Sequence, residues 1–186
     1  IYRNLEIKAG ATFDTHGPSG GGTDFNLTVT GHCHILDDAI LTCNDSDVTL
    51  GSLDLDSGGT VNAPSDSSTN GLIITSQYGG DAINGDGNWH HNDGKVTITT
   101  PASTYLDIAF GGETGDARLY DLVINNASCI AIIVDNTRIL NDLTITLGKL
   151  YEDDAAVDAL RVDGDVLISD GGTLGNNTWT ADLQFG

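Results

Sequence analysis

One short word recurs along this chain: an apolar residue, a polar or small one, then a second apolar residue, flanked by Gly, Asn, Asp or Thr. It reads NLEI at 4–7, NLTV at 26–29, HCHI at 32–35, DVTL at 47–50, SLDL at 52–55, GLIIT at 71–75 and KVTIT at 95–99. It continues as YLDI at 105–108, DLVI at 121–124, DLTI at 142–145, ALRV at 159–162, DVLI at 165–168 and DLQF at 182–185. Side chains alternate between the two faces of a strand, so each word buries two residues and exposes the one between them. No window of ten or more residues keeps the helical i, i+3, i+4, i+7 spacing, and the best helix candidate, DDAAVDAL at 153–160, is short. The chain is predicted to be all-β.

A strand of four residues pairs too little backbone to persist alone. Stacked in parallel on equivalent strands about 4.8 Å above and below, it satisfies its ladder and joins a continuous core. Words do recur at such intervals: Leu5 to Leu27 spans 22 residues and Leu122 to Leu143 spans 21. Pairs of words also lie five or six residues apart across a glycine or turn residue, as in Leu27 to Cys33, Val48 to Leu53 and Leu160 to Val166. At roughly 20 residues per coil the chain makes about nine coils, a right-handed parallel β-helix (β-solenoid) on the order of 43 Å long. The predicted core is Leu5, Ile7, Leu27, Val29, Cys33, Ile35, Val48, Leu53, Val96, Ile98, Leu122, Ile124, Leu143, Ile145, Leu160, Val162, Val166 and Ile168. The alternative is an antiparallel β-sandwich, which also uses short strands and glycine-rich turns. A lone glycine between words is shorter than the usual two-residue hairpin loop and suits a bend within one coil.

Two stretches overlay at a constant offset of 133: LTVTGHCHILDDAIL at 27–41 and LRVDGDVLISDGGTL at 160–174, which sets Leu27 on Leu160 and Cys33 on Val166. This divides residues 1–186, read as a single solenoid domain, into pseudo-repeat segments of about 1–117 and 118–186. It also places a cysteine where a valine stands in the other copy, hence inward, with His32 and His34 outward. The three cysteines, Cys33, Cys43 and Cys129, cannot all pair within one chain; a Cys33–Cys43 bridge and buried free thiols are both open.

Charge narrows the partners. With 27 acidic against 7 basic residues the net charge is −20, and the clustered Lys and Arg needed to neutralise phosphates are missing, so nucleic acid is not an expected partner. No run approaches the roughly 18 apolar residues of a membrane helix, and membrane insertion is not expected. Strong acidity, no Met, and abundant Gly, Asp, Asn and Thr suit an extracellular protein on a cell-surface appendage or a virion. The chain begins at Ile1, as a processed product or a segment of a longer polypeptide would.

Several residue groups could carry chemistry. His32 and His34, two residues apart on one strand face, could hold a divalent metal with a third ligand from a neighbouring coil. Trp89, His90 and His91 in GNWHHNDGK form a candidate ligand-facing loop, and Asp81 and Asp86 in GGDAINGDG resemble a calcium-binding turn without keeping the nonapeptide register. No cofactor is expected beyond Ca²⁺ held loosely by surface carboxylates. Asn26, Asn44, Asn126 and Asn176 match the N-glycosylation pattern. A glycan hydrolase needs two carboxylates about 5 to 9 Å apart; Asp37, Asp38, Asp153 and Asp154 with His16 and Arg161 are the residues to check, but adjacent Asp pairs at coil corners are ordinarily turn residues. An enzyme is not the expected reading.

Taken together, YRNLEIKAGATFDT, FNLTVTGHCHILDDAILT, LGSLDLDSGGTVNAPS, WHHNDGKVTIT and LYDLVINNAS resemble the degenerate β-solenoid repeats of bacteriophage tail-fibre and virion-surface proteins, and are similar also to filamentous-haemagglutinin-like bacterial adhesins. The resemblance covers nearly the whole chain and implies a parallel β-helix with a structural or adhesive role and no catalytic set. The expected function is a structural segment of an extracellular fibre, part of a longer array or filament. Neither end shows an obvious polar cap, so self-association is expected, head to tail or as an intertwined trimeric fibre. A carbohydrate-binding adhesin that grips surface glycans is the alternative, and a glycan-cleaving enzyme a third.

Overall fold

The words become strands, and equivalent words lie side by side. The structure, a computed structural model, describes residues 2–16, 24–107, 117–134, 136–152, 160–176 and 184–185. In chain order the strands are β1 (Leu5–Ile7), β2 (Thr12–Asp14), β3 (Leu27–Ile35), β4 (Ile40–Thr42), β5 (Val48–Leu55), β6 (Thr60–Asn62), β7 (Leu72–Ile74), β8 (Asp81–Gly85), β9 (Asn88–His90) and β10 (Lys95–Ile98). They continue as β11 (Ser103–Asp107), β12 (Ala117–Leu119), β13 (Asp121–Ile133), β14 (Thr137–Ile139), β15 (Leu143–Glu152), β16 (Leu160–Val162), β17 (Val166–Ile168), β18 (Gly172–Asn176) and β19 (Gln184–Phe185). Among the described residues there is no helix. Of the helix candidate at 153–160, residues 153–159 lie outside the described set, and Leu160 opens β16.

Every ladder between these strands is parallel, which makes the fold a β-solenoid and excludes the antiparallel sandwich; the antiparallel contact is an isolated bridge between Tyr78 and Asp81. Each turn presents three faces. The first takes β7, β10, β17 and the opening halves of β3, β5, β13 and β15; the second takes β1, β8, β11, β18 and the closing halves of those long strands. The third consists of two four-stranded ladders, β2-β4-β6-β9 and β12-β14-β16-β19.

Down the first face Leu27 pairs with Val48, Val48 with Leu72, Leu72 with Val96, Val96 with Leu122, Leu122 with Leu143 and Leu143 with Val166, in steps of 21, 24, 24, 26, 21 and 23 residues. That makes about six turns and about 29 Å of rise at the usual strand spacing, not the nine coils and 43 Å expected. The extra residues in each turn form the third face, whose three-residue strands, such as β4, β6 and β14, sit inside sequence that reads as turn. The same registers correct the overlay of the two stretches. Leu27 shares its column with Val166, on the first face, whereas Leu160 lies on the third face beside Thr137.

The inward residues form columns. Val29, Leu50, Ile74, Ile98, Ile124 and Ile145 follow one another in register and are all fully buried. Leu41 and Val61, and Leu119, Ile139 and Val162, do the same on the third face. Most of the expected core is buried, but Leu5 and Val166 are half-buried and Ile168 is 45% exposed. Leu5 and Ile168 lie on outermost rungs of their faces, so only one neighbouring rung covers each.

Candidate functional site

The second face assembles a polar cluster from three successive rungs. Alternation in β3 sends Cys33 inward and fully buried and leaves His32 and His34 half-exposed. The register of β3 on β5 sets Ser52 opposite His32 and Asp54 opposite His34, and the register of β5 on β8 sets Asn84 opposite Asp54. Tyr78, in the connection leading to β8, completes the cluster by stacking its ring on His32, with centroids 4.2 Å apart and planes inclined by 23°.

Nε2 of His32 and Nε2 of His34 each lie 3.8 Å from Oδ2 of Asp54, and Nε2 of His34 is 2.9 Å from Oδ1 of Asp56. Nδ1 of His32 is 3.1 Å from Oγ of Ser52, and the backbone N–H of His32 donates to Oδ1 of Asn4 at 3.1 Å. Burial pushes the His32 imidazole below its ordinary value; Asp54 pulls the other way, and His34 adds to the depression. Burial, with Asp54 adding to it, raises the carboxyl of Asp81. Two shallow pockets flank the Tyr78–His32 stack. One of about 200 Å³ is lined by residues including Asp54, Asp81 and Asn84, and one of about 350 Å³ by residues including Arg3, Asn4 and Gln77.

Asp54, Asp56, Ser52 and Tyr78 were not among the residues singled out from the sequence. A usable signal was present: HCHI and SLDL are separated by 20 residues, one coil, and laying one word on the other puts Asp54 on His34.

The other candidates fall elsewhere. Residues 88–90, read as loop, form β9 on the third face, where Trp89 takes the inward column after Phe13, Leu41 and Val61 and packs half-buried against the core. His90 is exposed beside it, and His91 stacks on Tyr120 at 5.6 Å between centroids. Asp81 joins the pocket beside Asp54, whereas Asp86 is exposed at the corner after β8. Asp37 and Asp38 are exposed at a corner, and Asp38 has a φ of 58°, as a turn residue does. Asp153 and Asp154 lie outside the described residues. His16 is bonded through Nδ1 to Oδ1 of Asp24 at 2.6 Å, and Arg161 through Nε to Asp163.

Of the glycosylation-pattern asparagines, Asn26 accepts the Asp47 N–H, Asn44 donates to Oδ1 of Asp14, and Asn126 donates to the Thr99 carbonyl. Asn176 lies in β18, and its side chain is outside the described set. Among the described residues no helix is long and apolar enough to cross a membrane. Comparison with known proteins gives no match, whether to a family model, a curated protein or a solved structure.

Proposed function

We propose that this chain is a structural β-solenoid segment of an extracellular fibre or surface appendage, viral or bacterial, that extends by adding rungs end to end. The observation that carries this reading is the unbroken first-face ladder from Leu27 to Val166, in which every rung buries apolar side chains against the next. Such a body lengthens without a change of design, because any further rung of the same width finds both its hydrogen bonds and its apolar contacts already laid out. Apolar side chains at the outer rungs support a further rung seated there: Tyr2 is 48% exposed at one end and Leu167 59% at the other. The net charge of −20 keeps such rods apart laterally while leaving end contacts possible. Electron microscopy of native material tests the reading; filaments or fibres carrying this chain are expected, and uniformly compact particles would contradict it.

A second reading, a carbohydrate-binding adhesin module, is favoured by the Tyr78–His32 platform. An exposed aromatic face set between two shallow pockets, with Asp81, Asn84 and Gln77 at hand, has the chemistry of a sugar subsite: a ring for the apolar side of a pyranose, and carboxylate and amide groups for its hydroxyls. Binding on a glycan array that is lost in Tyr78→Ala supports it, and an array without binding removes it.

A further inference from the structure

The second face carries more than a polar patch. We infer that His32, His34 and Asp54 form a binding site for a divalent transition-metal ion of the zinc class. Among the described residues these three bring one nitrogen or oxygen donor each to within 4.8 Å of one another, and two of the separations are 3.8 Å. A zinc ion with ligands at about 2.0–2.1 Å in tetrahedral array sets donor atoms about 3.4 Å apart. Closing the cluster around such an ion therefore takes small side-chain rotations and no movement of the ladder.

The surroundings hold the donors in place. Ser52 Oγ, 3.1 Å from Nδ1 of His32, accepts its proton in the tautomer that leaves the Nε2 lone pair facing Asp54, which is the outer-shell arrangement that zinc histidines use. The Tyr78 ring, stacked at 4.2 Å, fixes the plane of the same imidazole. Asp56, 2.9 Å from Nε2 of His34, holds that nitrogen in the metal-free protein and is the fourth donor when the ion displaces the hydrogen bond. His34 then carries its proton on Nδ1 instead, exchanged through solvent. Two neutral imidazoles and two carboxylates balance a 2+ charge.

The donor set also selects the metal. Two nitrogens disfavour calcium and magnesium, which take oxygen ligands, and favour Zn²⁺, Cu²⁺, Ni²⁺ and Co²⁺. The intervening thiol of Cys33 points into the core and is no donor here, since burial pushes it up to about 12. This site is distinct from the loose calcium expected of surface carboxylates, and it does not depend on the fibre reading.

Titration of the chelator-treated chain with zinc chloride, followed by calorimetry, tests the site. One equivalent is expected to bind, with affinity falling roughly tenfold or more in His32→Ala, His34→Ala and Asp54→Asn. All three side chains face outward, and melting curves verify that each variant folds. A second measurement needs no variant: in NMR spectra of the unaltered chain, Zn²⁺ is expected to shift the imidazole signals of His32 and His34 and to leave those of His16, His90 and His91 in place, with a large excess of Ca²⁺ failing to reverse the shift. No binding, binding indifferent to the histidine substitutions, a response centred on His90 and His91, or displacement by Ca²⁺ would each overturn the assignment.

Discussion

Cys33 sits in an inward column between Leu5 on one rung and Leu53 on the next, filling a hydrocarbon position with a thiol. It is free, as are Cys43 and Cys129, and burial raises all three, Cys33 to about 12 and Cys129 to about 11. At pH 8 only about 10⁻⁴ of a thiol with that value is thiolate, so a disulfide-exchange reagent is expected to leave the native chain nearly untouched and to label all three cysteines in denaturant; rapid native labelling would contradict the burial. Leu53 shares the column, and Leu53→Ala is expected to lower stability by about 2–5 kcal/mol in urea unfolding, with the transferred methylenes and the remaining cavity both contributing. At this scale the sequence was informative wherever alternation decided the outcome: Cys33 inward and His32 and His34 outward follow from period two alone. It was silent on Trp89, because a tryptophan between charged and amide residues reads as loop until β6 supplies the rung on which it stacks.

Strands here are too short to be stabilised from within, and their starts are tied to the rung above or below. Asn26 accepts the N–H of Asp47, and Asp47 that of Asn70; Asp121 accepts the N–H of Asp142, and Asp142 that of Asp165, the last two both at 3.0 Å. Each acceptor immediately precedes or opens a first-face word. Asp142→Ala removes one such link and is expected to lower stability on the order of 1 kcal/mol, with Asp142→Asn largely restoring it; equal unfolding midpoints for all three chains would show that the link contributes nothing. Bends between faces depend on close approach. A Cβ on Gly51 would overlap the carbonyl oxygen of Gly31 on the neighbouring rung, so Gly51→Ala is expected to lose about 1–3 kcal/mol through displaced backbone. The Asp or Asn that begins so many words was visible in the sequence, but its hydrogen-bond partner lies 21 to 23 residues away, so its role became legible only with the register. The same limit hid the third face, whose strands are three residues long and carry no more pattern than a turn.

Over the whole molecule, a longer turn exchanges coil number for an extra face, and charge is distributed by the same stacking. Arg118, Arg138 and Arg161, three of the seven basic residues, lie in register on consecutive rungs of β12, β14 and β16. Asp163 relieves their repulsion, with Nη2 of Arg138 at 2.5 Å and Nε of Arg161 at 2.7 Å. The hydrogen bond from Arg138 holds the Asp163 carboxyl below the usual carboxylate range, with Arg161 adding to the effect. A carboxyl depressed by folding stabilises above its unfolded value of about 3.9, and the contribution disappears as pH falls through the lower native value. Asp163→Asn is therefore expected to melt at a lower temperature than the native chain at neutral pH, with the gap closing in strong acid; a gap that does not depend on pH would assign the loss to packing instead. The β-solenoid, its aliphatic core and its parallel stacking were readable from the words and their spacing. The number of turns was not, since it depends on strands too short to announce themselves. Parallel stacking is tested most directly by electron spin resonance with labels attached at Thr28, Thr49 and Thr144, all outward on the first face. Thr28 and Thr49 lie on adjacent rungs, and Thr144 is five rungs from Thr28 through Thr49, Ile73, Thr97 and Val123. Strong short-range broadening is expected for Thr28 with Thr49, and a backbone separation of about 24 Å for Thr28 with Thr144; a Thr28–Thr49 pair without broadening, or Thr28 and Thr144 in close contact, would contradict the stacked solenoid.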